Sequence, residues 1–195
     1  MTFPDGSLNR ASSFPRTLIE DVIEAQKRLQ RVDSAFNRRT FIRTVFAAVE
    51  GIISLIKADL LKAAQRSPGA FGIAEIALLR EEAYFVDTRG RPKVRPNFIS
   101  LAENVRFIVE IANRHPEIGY SIDFSHKGWS NLQNSLKVRH RLAHPKTRAD
   151  LEVSIDEARK ALSGFFWLLA LAVEVTGLAR DAVKKAATRL SEKRL

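Results

Sequence analysis

An arginine and a histidine stand five positions apart at the end of a helical pattern, at Arg139 and His144, and Pro145 directly follows the histidine. A histidine titrates near neutral pH and can act as a general base or a general acid. An arginine stays charged and can hold two phosphate oxygens at once. A proton-transfer group close to a fixed cation suits phosphodiester cleavage without a metal. The pair therefore predicts catalytic roles for both residues.

RNA is the phosphodiester that fits this pair, because it carries its own nucleophile, the 2′-hydroxyl. Cleavage needs that proton removed, the charge on the phosphoryl oxygens stabilised, and the 5′-oxygen protonated as it leaves. The products would be a 2′,3′-cyclic phosphate and a 5′-hydroxyl, and DNA would be spared. One histidine per chain cannot readily make both proton transfers in line. We therefore expect a homodimer that brings two motifs together.

Two further residues are predicted to support the pair. His140 either assists the chemistry or points inward to a backbone carbonyl. Glu50 lies within an apolar helical stretch, where an unpaired carboxylate is costly. It either pairs with an arginine, with Arg139 as the candidate, and orients it, or lies exposed on the back of its helix. Alternatives also exist for the pair itself, since His144 can cap a helix end and Arg139 can serve packing alone.

Basic residues in two segments predict contacts with the RNA backbone, although each set can also be plain solvated surface. The first set surrounds the motif and comprises Lys137, Arg141, Lys146 and Arg148. The second set alternates along a turn-rich stretch and comprises Arg89, Arg91, Lys93 and Arg95. Alternate residues of an extended segment project to one side, so this second set is predicted to form one cationic face.

The composition agrees with a polyanionic partner. The chain has 32 Lys plus Arg against 22 Asp plus Glu, which gives a net charge of +10 and a pI near 10.3. The absence of cysteine excludes disulfides, thiolate metal sites and a cysteine nucleophile, and fits a reducing, cytoplasmic location. His140 and His144 have a spacing that can bind zinc on a helix, but the sequence offers no evident third ligand. We expect no metal and no cofactor.

Apolar residues recur at three- and four-residue spacing along most of the chain, which predicts an all-α, antiparallel bundle of five to seven helices. Residues 1–15 are predicted to be a loosely ordered lead-in, and residues 16–195 a single domain with a basic C-terminal helix. A short hairpin or extended loop is predicted near 85–96. The apolar run Phe165–Val175 is too short to span a bilayer, so no membrane partner is expected. The first predicted helix begins near 17, and the second runs from a cap at 33 or 34 to about 65. The other predicted helices cover about 73–84, 99–114, 128–141 and 154 onward.

The segment Arg139 to His144 resembles the Arg-x4-His signature of the HEPN superfamily of all-helical, nucleotide-binding domains. His140 occupies a position where that family has Asn, Asp or His, and Leu142, Ala143 and Pro145 also agree with its pattern. The close match covers about residues 123–161. The resemblance implies a metal-independent endoribonuclease, often a toxin or phage-defence protein, that dimerises around one shared cleft. It also implies an antitoxin or nucleotidyltransferase partner. Some members have lost activity and act as binding or accessory modules, which remains an alternative.

Overall fold

Helices account for 72% of this protein, with a single small hairpin among the described residues, as the sequence predicts. The computed structural model describes the backbone of residues 7–192 and the side chains of residues 14–189. Within that range six α-helices and two strands follow one another. Their bounds are α1 Ser7–Arg31, α2 Ala35–Arg66, α3 Ile73–Leu79, β1 Glu82–Val86, β2 Pro92–Pro96, α4 Leu101–Arg114, α5 Lys127–Ala143 and α6 Ile155–Glu192.

The described residues form two compact units. The first, here the motif unit, takes in the described chain up to Ile52 together with Asp123–Ala170. The second, here the hairpin unit, takes in Ile53–Ile122 and the described chain from Leu171. Helices α2 and α6 therefore contribute residues to both units. The single domain over residues 16–195 stays a prediction.

The motif unit packs the first part of α2, helix α5 and the first part of α6 around a common core. Two glycines set how closely α5 and α6 approach. A Cβ on Gly164 would lie 2.7 Å from the backbone of Leu132, and a Cβ on Gly128 would lie 2.4 Å from the side-chain Cβ of Trp167. Real Cβ atoms do not approach so closely, so both positions require glycine. The fully buried side chains include Phe41, Ile42, Val45, Leu132, Phe165 and Leu168.

The N-terminal region differs from the loosely ordered lead-in that the sequence predicts over residues 1–15. Helix α1 begins at Ser7 and continues through Pro15, while residues 1–6 lie outside the described range. Phe14 and Leu18, one helical turn apart, both lie within 3.5 Å of the position that a Cβ on Gly51 of α2 would occupy. This packing across the proline explains why the helix extends past a residue that removes one helical hydrogen bond.

In the hairpin unit, α3 ends at Leu79, earlier than the predicted boundary near residue 84. Glu81 has a φ of 57°, which turns the chain out of the helical direction, and Lys57 of α2 holds its carboxylate at 2.9 Å. The following residues pair instead with β2 in antiparallel register, with Tyr84 opposite Val94. Strand pairing therefore overrides the helical pattern that the apolar spacing of this segment suggests.

The apolar part of α6 is longer than the run Phe165–Val175, and the helix continues through Gly177 to Glu192. Over 155–189 it is long and apolar enough, by length and composition alone, to cross a membrane. Its most apolar 18-residue window has a mean hydropathy of 1.8 and is 44% buried inside the protein. Core helices of soluble proteins also have this character, and the α6 residues Phe165, Leu168, Leu171 and Val175 are fully buried.

Candidate active site

Helix α5 positions the Arg-x4-His motif at its C-terminal end. The helix begins where the Nδ1 atom of His126 accepts a hydrogen bond from the backbone N–H of Gly128 at 3.0 Å. It ends at His144, whose backbone N–H donates to the carbonyl of His140 at 3.1 Å and whose φ of −130° leaves the helical region. Pro145 cannot donate the next helical bond. Arg139 therefore lies on the last turns of the helix and His144 at its cap.

The guanidinium of Arg139 makes the contact with Glu50 that the sequence raises as one of two possibilities. Its Nη2 atom donates to Oε1 of Glu50 at 2.7 Å. The Glu50 side chain is 52% exposed and that of Arg139 is 41% exposed. Glu50 is therefore paired with Arg139, as one sequence-based alternative holds, and it is also exposed, as the other alternative holds. This contact joins α5 to α2.

A shallow groove of about 240 Å³ opens beside this ion pair. Glu50 and Arg139 line it together with Arg43, Ala47 and Leu142. Arg43 lies two helical turns before Glu50 and is exposed, so the groove holds two cations and one carboxylate. Sequence reasoning missed Arg43. The seven-residue spacing from Glu50, which places both residues on one face of α2, is the signal that identifies it.

The two imidazoles of the motif both face solvent. The ring centroids of His140 and His144 lie 5.3 Å apart, and both residues are exposed. The inward orientation that the sequence allows for His140 is therefore wrong. His144 is the C-cap residue through its backbone, while its side chain remains accessible to a substrate. Within the described residues, neither ring makes a hydrogen bond to another group.

Arg141, predicted to contact RNA, instead holds the end of α5 to the start of α6. Its Nη2 atom donates to Oε2 of Glu157 at 3.0 Å and also to the backbone carbonyl of Glu152. A capping box begins α6, because Glu157 accepts from the N–H of Ser154 at 2.8 Å while Ser154 Oγ accepts from the N–H of Glu157. Arg141 is half-buried, and its guanidinium is committed to the fold.

The loop after the motif is organised around Asp150. Its Oδ2 atom accepts from the backbone N–H groups of Lys146 at 2.9 Å and Thr147 at 2.8 Å. These hydrogen bonds hold the pKa of the Asp150 carboxyl below its usual value. The loop is thereby fixed with the side chains of Lys146 and Arg148 exposed. Both remain available for the predicted phosphate contacts.

Lys137, the remaining cation of the first predicted set, is also exposed. It lines a second groove of the motif unit, of about 310 Å³, together with Arg141, Glu157 and Lys160. Lys160 is paired with Asp156 at 2.6 Å. Lys137 does not line the first groove, which is the one that Arg139, Glu50 and Arg43 line.

The four cations predicted to form one face of the hairpin do not do so. Arg89 lies in the turn, and Arg91 folds back onto Asp87, whose Oδ1 atom also accepts from the N–H groups of both arginines at 2.9 Å. Only Lys93 and Arg95 lie in β2, two positions apart and hence on one face. The turn chemistry of Asp87 and Gly90 divides the set. These residues belong to the hairpin unit.

No group of three or more His, Asp or Glu side chains that could hold a metal ion occurs in the part of the chain that the structure describes. Comparison of the chain with family models, with curated proteins and with solved structures found no match.

Proposed function

We propose that this protein is a metal-independent endoribonuclease of HEPN type. The observation that carries the proposal is the pairing of Arg139 with Glu50 at the edge of a groove, on the same helix that ends in the exposed His144. A guanidinium whose direction is fixed by a carboxylate can meet a phosphate without first being ordered. An exposed imidazole can transfer a proton at neutral pH.

In the proposed reaction His144 removes the proton of the ribose 2′-hydroxyl. The oxygen then attacks the adjacent phosphorus, and the bond from phosphorus to the 5′-oxygen breaks. Arg139 stabilises the charge on the phosphoryl oxygens of the scissile phosphate, and Arg43 binds a neighbouring phosphate of the strand. A second histidine, supplied by the partner of a homodimer, protonates the leaving 5′-oxygen. The products are a 2′,3′-cyclic phosphate and a 5′-hydroxyl.

The setting we propose is a cytoplasmic toxin–antitoxin or phage-defence system, with an antitoxin or a nucleotidyltransferase as partner. The resemblance of Arg139 to His144 to the HEPN signature supports this setting, and the net charge of +10 supports a nucleic-acid substrate.

The test is incubation of the purified protein with labelled RNA in the presence of EDTA. The wild-type chain should cut the RNA and leave 2′,3′-cyclic ends. The His144→Ala variant should cut about 10²-fold more slowly, which is the usual scale for loss of a general acid or base. Arg66→Ala, which removes an exposed arginine at the end of α2, is the matched control and should cut normally. Activity that EDTA abolishes, or that survives His144→Ala unchanged, contradicts the proposal.

A second candidate is a catalytically inactive HEPN-like module that binds nucleic acid or an accessory protein. It is favoured by one observation, that no hydrogen bond among the described residues fixes the ring orientation of His140 or His144. Catalytic histidines usually have such a partner. Binding of RNA without cleavage, unchanged in His144→Ala, is the result that this candidate predicts.

A further inference from the structure

The hairpin and the segment after it expose three aromatic rings. Tyr84 is 58% exposed, Phe85 is 43% exposed and Phe98 is 82% exposed. Rings of this size usually lie in cores or interfaces, because their apolar area is unfavourable in water. Tyr84 lies on the opposite face of β1 from Phe85, whereas Phe85 and Phe98 both lie near Arg95. Single exposed apolar residues are ordinary, but this pair of rings indicates a contact surface.

Cations lie around these rings. The guanidinium carbon of Arg95 is 5.7 Å from the centroid of the Phe85 ring. Lys93 stands directly opposite Phe85 in the antiparallel register, so it lies on the same face. At the base of the hairpin, a groove of about 390 Å³ is lined by Arg80, Arg95 and Phe98, and also by Glu81 and Glu82.

The acidic residues of the same segment are engaged in hydrogen bonds or ion pairs, and the cations outnumber them. Each has a partner within the hairpin unit: Asp87 is held by Arg91, Glu81 by Lys57, and Glu82 by the hydroxyl of Tyr84. Residues 80–98 include five Lys and Arg and three Asp and Glu, which gives the segment a net charge of +2 before Lys57 is counted. The surface is therefore cationic as well as aromatic.

We infer that this hairpin surface, made of Arg80, Phe85, Lys93, Arg95 and Phe98, binds single-stranded RNA. Unpaired bases stack on aromatic rings, and phosphates lie against neighbouring cations. A duplex hides the faces of its bases and could use only the cations. An acidic peptide likewise has charges for the cations but few groups that stack. The choice of RNA over DNA rests on the proposed function, whereas the stacking rests on the hairpin itself.

The test is fluorescence anisotropy with a labelled oligouridine that carries 2′-O-methyl sugars. This probe lacks the nucleophile, so binding is measured without cleavage. We expect it to bind more tightly than its duplex with the complementary oligoadenosine, and poly-L-glutamate to compete poorly. A DNA oligothymidine should bind comparably, because it offers the same stacking faces and phosphates. Equal or tighter binding of the duplex, efficient competition by poly-L-glutamate, or binding of DNA alone overturns the inference.

Variants separate the two parts of the contact. Phe98→Ala removes the most exposed ring and should weaken binding by about 5-fold or more, the lower end for one stacked base, with no change in salt dependence. Lys93→Ser with Arg95→Ser should flatten the plot of log affinity against log salt by about 0.7 for each lost phosphate contact. Phe98→Trp keeps a stacking ring and should bind as wild type does. Phe36→Ala is the control, because Phe36 is 65% exposed and belongs to the motif unit.

The outcome for binding is independent of the outcome for catalysis. Normal cleavage of RNA with unaltered affinity in Phe98→Ala overturns the hairpin surface alone. Ring-dependent binding of the methylated oligouridine without any cleavage of RNA overturns the ribonuclease alone. Circular dichroism of each variant checks that the helical content is unchanged.

Discussion

The guanidinium of Arg139 donates to Oε1 of Glu50 at 2.7 Å, although the two residues are 89 positions apart in the chain. Both side chains are about half exposed, so water screens their attraction. An exposed ion pair of this kind contributes roughly 0 to 1 kcal/mol to stability. Its main effect is to hold the guanidinium in one direction at the groove that Arg43 also lines.

Replacement of Glu50 should therefore affect catalysis more than folding. In Glu50→Ala the guanidinium loses its positioning partner, and we expect kcat to fall about 10-fold to 100-fold, as for a displaced catalytic group. The free energy of unfolding should change by less than about 1 kcal/mol. Glu50→Gln keeps an oxygen acceptor and should recover part of the rate. Wild-type kcat in Glu50→Ala would show that the ion pair has no positioning role.

Replacement of Arg43 should weaken the binding of RNA. Arg43 lines the groove without a catalytic proton to give, so Arg43→Ala should raise KM more than it lowers kcat. The loss of one phosphate contact on a single strand should flatten the salt dependence of binding by about 0.7 in log–log slope. Steady-state kinetics at several salt concentrations measure both effects. Arg66→Ala is the matched control, and equal behaviour of the two variants would remove Arg43 from the site.

A shared active site should show itself in mixed dimers. Arg139→Ala and His144→Ala chains are each expected to be inactive alone. If the site takes Arg139 from one chain and His144 from its partner, a mixture of the two variants regains part of the activity. A mixture as inactive as its components has two explanations: each chain works with its own pair, or one cleft needs the histidines of both chains, as in the proposed reaction. Analytical ultracentrifugation at micromolar concentration should show a dimer, and a purely monomeric chain counts against the shared site.

The bond between Arg141 and Glu157 should make the motif unit sensitive to acid. Burial acts to raise the pKa of the Glu157 carboxyl, but hydrogen bonds from Arg141 and from the backbone of Ser154 hold it below its ordinary value of 4.5. A carboxyl whose folded pKa is depressed stabilises the fold above its unfolded pKa and loses that effect as the pH falls through its folded pKa. Chemical denaturation from neutral pH to below pH 4.5 should therefore show a smaller loss of stability in Glu157→Gln than in wild type. Equal losses would mean that other carboxyls dominate the acid response.

Two glycines of α6 should respond in opposite directions to alanine. A Cβ on Gly164 would lie 2.7 Å from the backbone of Leu132, so Gly164→Ala must push α5 away and should cost about 1 to 3 kcal/mol or more. Gly177 has nothing within 4 Å of the position of a Cβ, so Gly177→Ala should stabilise the same helix by about 0.5 to 1 kcal/mol. Urea denaturation of the two variants measures the difference. Similar effects at both positions would contradict the close approach of α5 and α6.

The sequence by itself determined the helical class, the hairpin and the ends of those helices that local signals mark. These depend on residues near one another in the chain. The capping box of Ser154 and Glu157 begins α6, and Pro145 marks the end of α5. The period of apolar residues gives the buried faces of α2, α4 and α6 for the same reason.

Only the tertiary structure decided which charged side chains meet. From the sequence, Arg139 could pair with any of several carboxylates, and Arg141 could remain in solvent. An ion pair between residues far apart in the chain produces no periodic pattern in the sequence. Likewise, the end of α3 at Leu79 depends on strand pairing with residues 92–96, which the spacing of residues 73–84 does not reveal. Local propensity and periodicity act within a few residues, whereas these contacts are selected by the packing of whole helices against one another.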